Sequence, residues 1–330
     1  MRNLLIINSL LMFSAAASAA ASAAAPAADP VASYPNHPVR LIAGSPGSTS
    51  DFSSRFVAQK LTERWGQQVV VDNRPGAGGI IGTEIGAGAA PDGYTLVVGH
   101  IGTHASAQFL FKKLPYDPIK DFAPISLMTV SGIALAVHPS VPAKDLKAFV
   151  AYAKSKPGGV NYGSAGGGTS SQLSGELFNQ MTGAKLVHIP YKGAGFALTG
   201  LVSGETQAAF LSTTTANAQV KAGRLKALAV LSAKRFPAAP DIPSAVEAGF
   251  PGLDANVWFG LFAPAKTPRA LIMKINKEVV AALQLPEAKA ALLAQGAESS
   301  PTTPEEFDRF LKSEITKWGK VIKAAGIKAN

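Results

Sequence analysis

The chain contains no cysteine. That absence excludes structural disulfides, thiolate metal sites, a cysteine nucleophile and the acylated cysteine of a lipoprotein anchor. Charged residues make up only 16% of the 330 positions and aromatics 8%. Lysines and arginines are scattered singly, Lys112-Lys113 being the one short pair before the C-terminal helices. With no basic run and no interleaved aromatics, nucleic acid is not an expected partner. Past the N-terminus no stretch reaches the roughly 20 apolar residues that a membrane helix needs. Histidines are few, five in all. His100 and His104 have i, i+4 spacing, but Ile101 stands where a metalloprotease glutamate belongs and Gly102 weakens a helix, so no metal site is expected.

What is present begins with Arg2, an apolar run from Leu4 to Phe13 and a tract of small residues with Ala-Ser-Ala sites. This is the pattern of a secretory signal peptide. Residues 1–23 are assigned to it, with cleavage between Ala19 and Ala28, and residues 24–33 to a flexible lead-in. A mature periplasmic protein is expected. The 47% hydrophobic content is that of a globular chain, and the formal net charge of +10 favours anionic ligands.

Short apolar or β-branched runs recur between amphipathic segments: Val39–Ala43, Val69–Asp72, Thr95–Val98, Ile133–Val137, Leu186–Ile189, Ala208–Leu211 and Ala227–Leu231. The alternation predicts an α/β protein with parallel sheets and crossover helices. Phe52, Phe56, Val57, Leu61 and Trp65 repeat at helical spacing and predict a helix with one buried face. Near the C-terminus, Thr267-Pro268 and Thr303-Pro304 each place a capping hydroxyl before an N1 proline, and Glu306 completes a capping box at the second. Two closing helices are expected. The last presents Phe307, Phe310, Leu311, Ile315, Trp318 and Ile322 to the core and stops at Gly326. Ser131–His138 and Asn256–Pro264 read as two crossover segments forming a hinge. They divide the chain into one lobe of residues 34–132 and 258–330 and another of residues 133–257.

Two loops carry the chemistry. "VNYGSAGGGTSSQLSGELF" and "LIAGSPGSTSDFSSRF" each read as a strand, a Gly/Ser/Thr loop and a helix start. The first has the glycine spacing of a phosphate-binding loop, but Thr169 replaces the lysine, so a nucleotide is not expected. A helix start exposes up to four unpaired N–H groups and about half a positive charge, enough to hold a carboxylate without any lysine or arginine. Ser48-x-x-Asp51 and Thr169-x-x-Gln172 also have capping spacing, so Asp51 and Gln172 serve either to hold the loops or to touch ligand. "DNRPGAGGIIG" has Ile81 at the third required glycine position of a dinucleotide fingerprint and reads as a tight strand-to-helix turn. Ser164 in "YGSAG" approaches a hydrolase nucleophile elbow. Tyr162 stands where that elbow needs a small residue, and no histidine lies close in sequence to serve as its base, which leaves only a distant one such as His188.

In order along the chain come "YPNHPVRLI", "PGSTSDFSSR", "VVVDNRPGAGGIIG", "APDGYTLVVG", "LPYDPIKDFAPIS", "YGSAGGGTSSQLSGELF", "HIPYKGAG", "PDIPSAVEAGFPG" and "TPEEFDRFLKSEITKWGKVIKAAGI". From about Tyr34 onward the sequence resembles the Bug receptors, periplasmic solute-binding proteins of tripartite tricarboxylate transporters. The resemblance implies a two-lobed periplasmic-binding-protein fold, the Venus flytrap, each lobe a sheet flanked by helices. It further implies a monomeric binding protein with no catalytic residue and no cofactor, gripping a small organic carboxylate: a dicarboxylate, an amino acid or an aromatic acid. The partner it implies is the integral-membrane permease. Carried over, the first loop offers Gly47, Ser48, Thr49 and Asp51, and the second Ser164, Ala165, Gly166, Thr169, Ser170 and Gln172. Thr213 and Thr214, with side chains from "HIGTHAS", are the expected distal contacts. Two departures stand out: the family's first loop often reads Gly-Gly where this chain has Gly47-Ser48, and histidine often stands where Gln172 does. A sensor of the same fold and an exported serine hydrolase acting through Ser164 are the competing readings.

Overall fold

The computed structural model describes residues 31–44, 46 and 49–327. The expected signal peptide, Gly47 and Ser48 lie outside the described residues. Strands β1 (Val39–Ala43), β2 (Val69–Asn73) and β3 (Thr95–His100) form a parallel group in the order β2-β1-β3. Two helices cross between them, α1 (Thr49–Trp65) and α2 (Ile80–Ala87). Of the α1 face that the helical spacing predicts, Val57 and Leu61 are buried while Phe52, Phe56 and Trp65 are half-buried, and Ala58 joins the buried side. Gly86 lets α2 lie against β3, because a Cβ there would overlap Val97.

After the short α3 (Ala107–Leu110), the 16-residue strand β4 (Phe122–Val137) spans the molecule. Its first part, Phe122–Gly132, pairs antiparallel with β9 (Asn256–Pro264). Its second part, Ile133–Val137, pairs antiparallel with β7 (Ala208–Ser212) and, from Ala134, with β8 (Lys226–Val230). The partner changes between Gly132 and Ile133. Beyond that point, β5 (Val160–Ser164) pairs parallel with both β6 (Leu186–Pro190) and β7. Helices α4 (Leu146–Ser155), α5 (Ser170–Thr182), α6 (Ala194–Val202) and α7 (Thr213–Lys221) connect these strands. The expected parallel sheets therefore hold at the two flanks. The centre is antiparallel, because β4 and β9 run through it in opposite directions, and the whole is a curled, mixed sheet covered by helices.

From Pro35 onward the chain is one compact unit. It closes with three helices, α8 (Arg269–Gln284), α9 (Pro286–Ala294) and α10 (Pro304–Ala325), with the two-residue strand β10 (Glu298–Ser299) between the last two. The break that separates α8 from α9 falls at Leu285, before Pro286, which cannot continue a helix. Thr303 and Glu306 form the expected capping box, and Gly326 ends α10 at φ 63°. The expected Thr267 cap is not formed: α8 begins after Pro268 with no side-chain cap, and Thr267 is buried.

Helix α10 buries Phe307, Leu311, Ile315, Trp318 and Ile322. In their midst sits the buried carboxylate of Glu314, whose Oε2 accepts from both Trp258 Nε1 and Trp318 Nε1 at 2.9 Å. Lys317 supplies the counter-charge. A buried carboxylate is tolerable only when paired and hydrogen-bonded. This one ties β9 to α10.

Candidate functional site

Strand β1 ends at Ala43 and α1 begins at Thr49, so the first loop is held by what lies beside it. Asn73, the last residue of β2, donates from Nδ2 to the Gly44 carbonyl and to Asp51 Oδ1, both at 2.8 Å. Arg55 pairs with Asp51 at 3.1 Å. The buried Asp51 carboxylate therefore braces the loop. Ser50, one residue before it, lines the cavity.

The second loop is braced from behind by a chain of bonds whose direction can be assigned. The Gly168 N–H donates to the Gln172 side chain at 2.6 Å, so the atom it meets is Oε1. The amide nitrogen of Gln172 then faces His188 Nδ1 at 3.1 Å and donates to it. A neutral ring that accepts at Nδ1 carries its proton at Nε2, and Nε2 lies 2.5 Å from Ser164 Oγ. Ser164 in turn donates to the Gly166 carbonyl at 3.2 Å. Burial pushes the His188 pKa down, favouring the neutral ring. In this tautomer His188 gives a proton to Ser164 and cannot take one, the reverse of a nucleophile–base pair. Thr169 precedes α5 without a side-chain cap and donates instead to the Gly166 carbonyl at 2.7 Å. The Thr169-x-x-Gln172 spacing thus shapes the loop rather than closing a capping box.

The two loops meet over a cavity of about 460 Å³ lined by Gly44 and Ser50 on one side and Gly167–Ser170 on the other. A Cβ on Gly168 would come within 2.8 Å of Leu110 across it. A second cavity of about 290 Å³ is lined by Gly163–Ala165, Ser171, Ser212 and Thr215, and it shares Ser170 and Val257 with the first. They are two arms of one cleft, with the start of α5 at their junction. Neither arm is lined by a lysine, arginine, aspartate or glutamate among the described residues. What remains for an anion is amide N–H groups, hydroxyls and helix dipoles.

Of the expected contacts, Ser164, Ala165, Thr169 and Ser170 line the cleft. Gly166, Gln172 and Asp51 stand behind it. Thr213 is buried against Gly132, and Thr214 packs against Gly296; neither lines an arm, whereas their neighbours Ser212 and Thr215 do.

The sequence reading missed Pro75–Ile80 as cavity wall. Its signal was the run of glycines: Gly76, Gly78 and Gly79 all adopt positive φ, and so does Ala77 at φ 46°. A non-glycine residue there stores strain on the order of 1 kcal/mol. The facing wall is His100–Gly102, where the chain leaves β3 and enters the π-helical turn Ile101–Ser106. His100 caps that turn, Nδ1 accepting from Gly102 N–H at 3.0 Å, while the ring's remaining N–H bonds the Gly78 carbonyl. Burial lowers its pKa to about 4, so it faces the cavity uncharged.

The model of the tripartite tricarboxylate transporter family receptor matches residues 53–327. The chain belongs to that family. It is 34% identical to the protein BugT of Bordetella pertussis over 298 residues, 90% of this chain and 91% of BugT. It superposes on an R. palustris protein solved with adipate with TM-score 0.78 at 33% identity, over 90% of this chain and all of that one. It superposes on MatC from Rhodopseudomonas palustris with bound malate with TM-score 0.72 at 34% identity, over 88% and 100%. The fold of this receptor is accordingly the two-lobed periplasmic-binding-protein fold that the resemblance implied. Its family and its structural neighbours are solute-binding receptors, and receptors of this family are periplasmic.

Proposed function

We propose that this receptor captures a small organic carboxylate between lobes of residues 34–132 with 258–330 and residues 133–257, and hands it to the membrane permease subunits of a tripartite tricarboxylate transporter. The observation that carries the reading is the pair of helix starts, Ser50 of α1 and Ser170 of α5, lining one cavity that, among the described residues, no lysine, arginine, aspartate or glutamate lines. Amides held by two separate loops bind a carboxylate best when both loops are in place, so the ligand itself stabilises the closed lobes. The change of partner along β4 between Gly132 and Ile133 supports the first hinge crossing, and the passage of β9 alongside it supports the second. The family's location and the N-terminal signal pattern support a periplasmic, processed protein. The tautomer of His188 argues against hydrolysis by Ser164.

The test is thermal-shift screening of refolded, ligand-free protein against carboxylates and their uncharged amides. Stabilisation by acids and not by amides is expected. Stabilisation by another chemical class alone refutes the reading. Deleting the gene should abolish uptake of the acid found; intact uptake with lost transcriptional induction would instead identify a sensor.

A further inference from the structure

Donation behind the second loop runs one way, from the Gly168 N–H to Gln172, from Gln172 to His188 and from His188 to Ser164. One added proton breaks that order. A second proton on the ring sits at Nδ1, 3.1 Å from the side-chain nitrogen of Gln172, and sets two donors face to face. Turning the Gln172 amide over offers Oε1 to Nδ1–H, but it brings the NH2 group against the Gly168 N–H, whose present bond is 2.6 Å long. The conflict only moves along the chain. Gln172 is buried, and a buried donor left facing another donor is strongly disfavoured, so Gly168 has to shift. Gly168 lines the larger arm at φ 73°, and a Cβ on it would come within 2.8 Å of Leu110. A shift there is felt across the cavity, on α3.

The surroundings offer the extra proton no other acceptor. From β5, the Tyr162 ring lies 5.2 Å from the His188 ring, centroid to centroid, and keeps its own proton, burial raising its pKa. From α5 come Gln172 and, one turn on, Glu176, whose Oε1 accepts from the Tyr162 hydroxyl at 2.8 Å. On β6 itself, Leu186–Pro190, no other side chain titrates. Burial lowers the His188 pKa below its ordinary 6.5.

We infer that His188 is a positioning residue for the ligand grip: through Gln172 it holds the second loop in its binding shape only while the ring carries a single proton, at Nε2, and a second proton releases Gly168. Release takes up a proton, so the brace is complete above pH 6.5 and weakens as pH falls below it. Carboxylate affinity falls with it. That last step rests on the carboxylate grip proposed above; the coupling of ring to loop does not.

Nitrogen-15 NMR of the ligand-free receptor tests the coupling without a ligand, so its failure leaves the carboxylate reading standing, and failure of that reading leaves the coupling standing. At pH 7 the ring should carry its proton at Nε2 alone. Solvent exchange of the Gly168 N–H is measured against that of the Leu173 N–H, which bonds the Thr169 carbonyl at 2.9 Å. From pH 7 to pH 5 the ratio should rise, by up to about tenfold per pH unit below the ordinary histidine pKa. Gln172→Glu offers an acceptor to the Gly168 N–H and to a doubly protonated ring at once. It should remove the rise and move the ring's midpoint upward. His188→Gln, which does not titrate, should remove the rise as well. A ratio that stays flat in the parent, a neutral ring protonated at Nδ1, or a rise that persists in either folded variant overturns the inference.

Discussion

His104 makes the stability of this receptor fall in acid, by an amount that can be worked out. Its ring is fully buried, stacked on Phe262 at a centroid distance of 4.0 Å and an angle of 11°, with Phe122 edge-on at 4.7 Å. Nδ1 meets Thr103 Oγ1 at 2.9 Å. Burial, and secondarily the neighbouring His100, lower its pKa from 6.5 to about 3. The unfolded chain protonates this histidine near pH 6.5, whereas the folded one does so only near pH 3. Between those values the unfolded state holds more protons, so stability is fully present above pH 6.5 and is lost as pH falls toward 3. Each pH unit inside that window removes about 1.4 kcal/mol, so from pH 6.5 to pH 4.5 His104 alone removes about 2–3 kcal/mol. His104→Phe preserves the aromatic stack and removes the titration. At pH 7 the variant should lie within about 1.5 kcal/mol of the parent, as near-isosteric core changes do. The stability difference between them should then move in the variant's favour by about 2–3 kcal/mol on going to pH 4.5. Urea unfolding followed by tryptophan fluorescence at pH 7, 6, 5 and 4.5 measures it. A difference that stays constant across this range refutes the reasoning.

Glu314→Ala leaves two buried indole N–H groups unpaired and opens a gap between β9 and α10; a loss of about 3–5 kcal/mol is expected by urea denaturation. Gln172→Leu strands the Gly168 N–H and His188 Nδ1, costing about 1–3 kcal/mol, and loosens the second loop, so calorimetry should show carboxylate affinity falling along with stability. Gly296→Ala drives a Cβ into Thr214 Oγ1 at a backbone φ of 74°. About 2–4 kcal/mol should be lost in thermal or urea unfolding, with partial recovery on adding Thr214→Ala.

Much of the fold is legible locally. The run Val39–Ala43 coincides with β1, and the Thr303 capping box and Gly326 stop bound α10, because caps and strand ends are settled by residues within a few positions of each other. The antiparallel centre is not legible that way. Strands β4 and β9 look like any apolar run until their partners, distant in sequence, are known. The extra break before Pro286 was available in the sequence, since proline ends helices. The Thr267 signal was misleading, because burial of that residue outweighed its capping preference.

The sequence by itself determined that two Gly/Ser/Thr loops open helices and that neither brings a lysine. Those are properties of short segments. Tertiary structure alone decided that the loops face each other, that Asp51 and Gln172 brace them from behind, and that His188 donates to Ser164 instead of accepting from it. It also decided that Pro75–Ile80 and Phe259, which no spacing connects, line the same cavity. A cavity is shaped by residues that strand order brings together, and its electrostatics depend on which charges that order leaves outside.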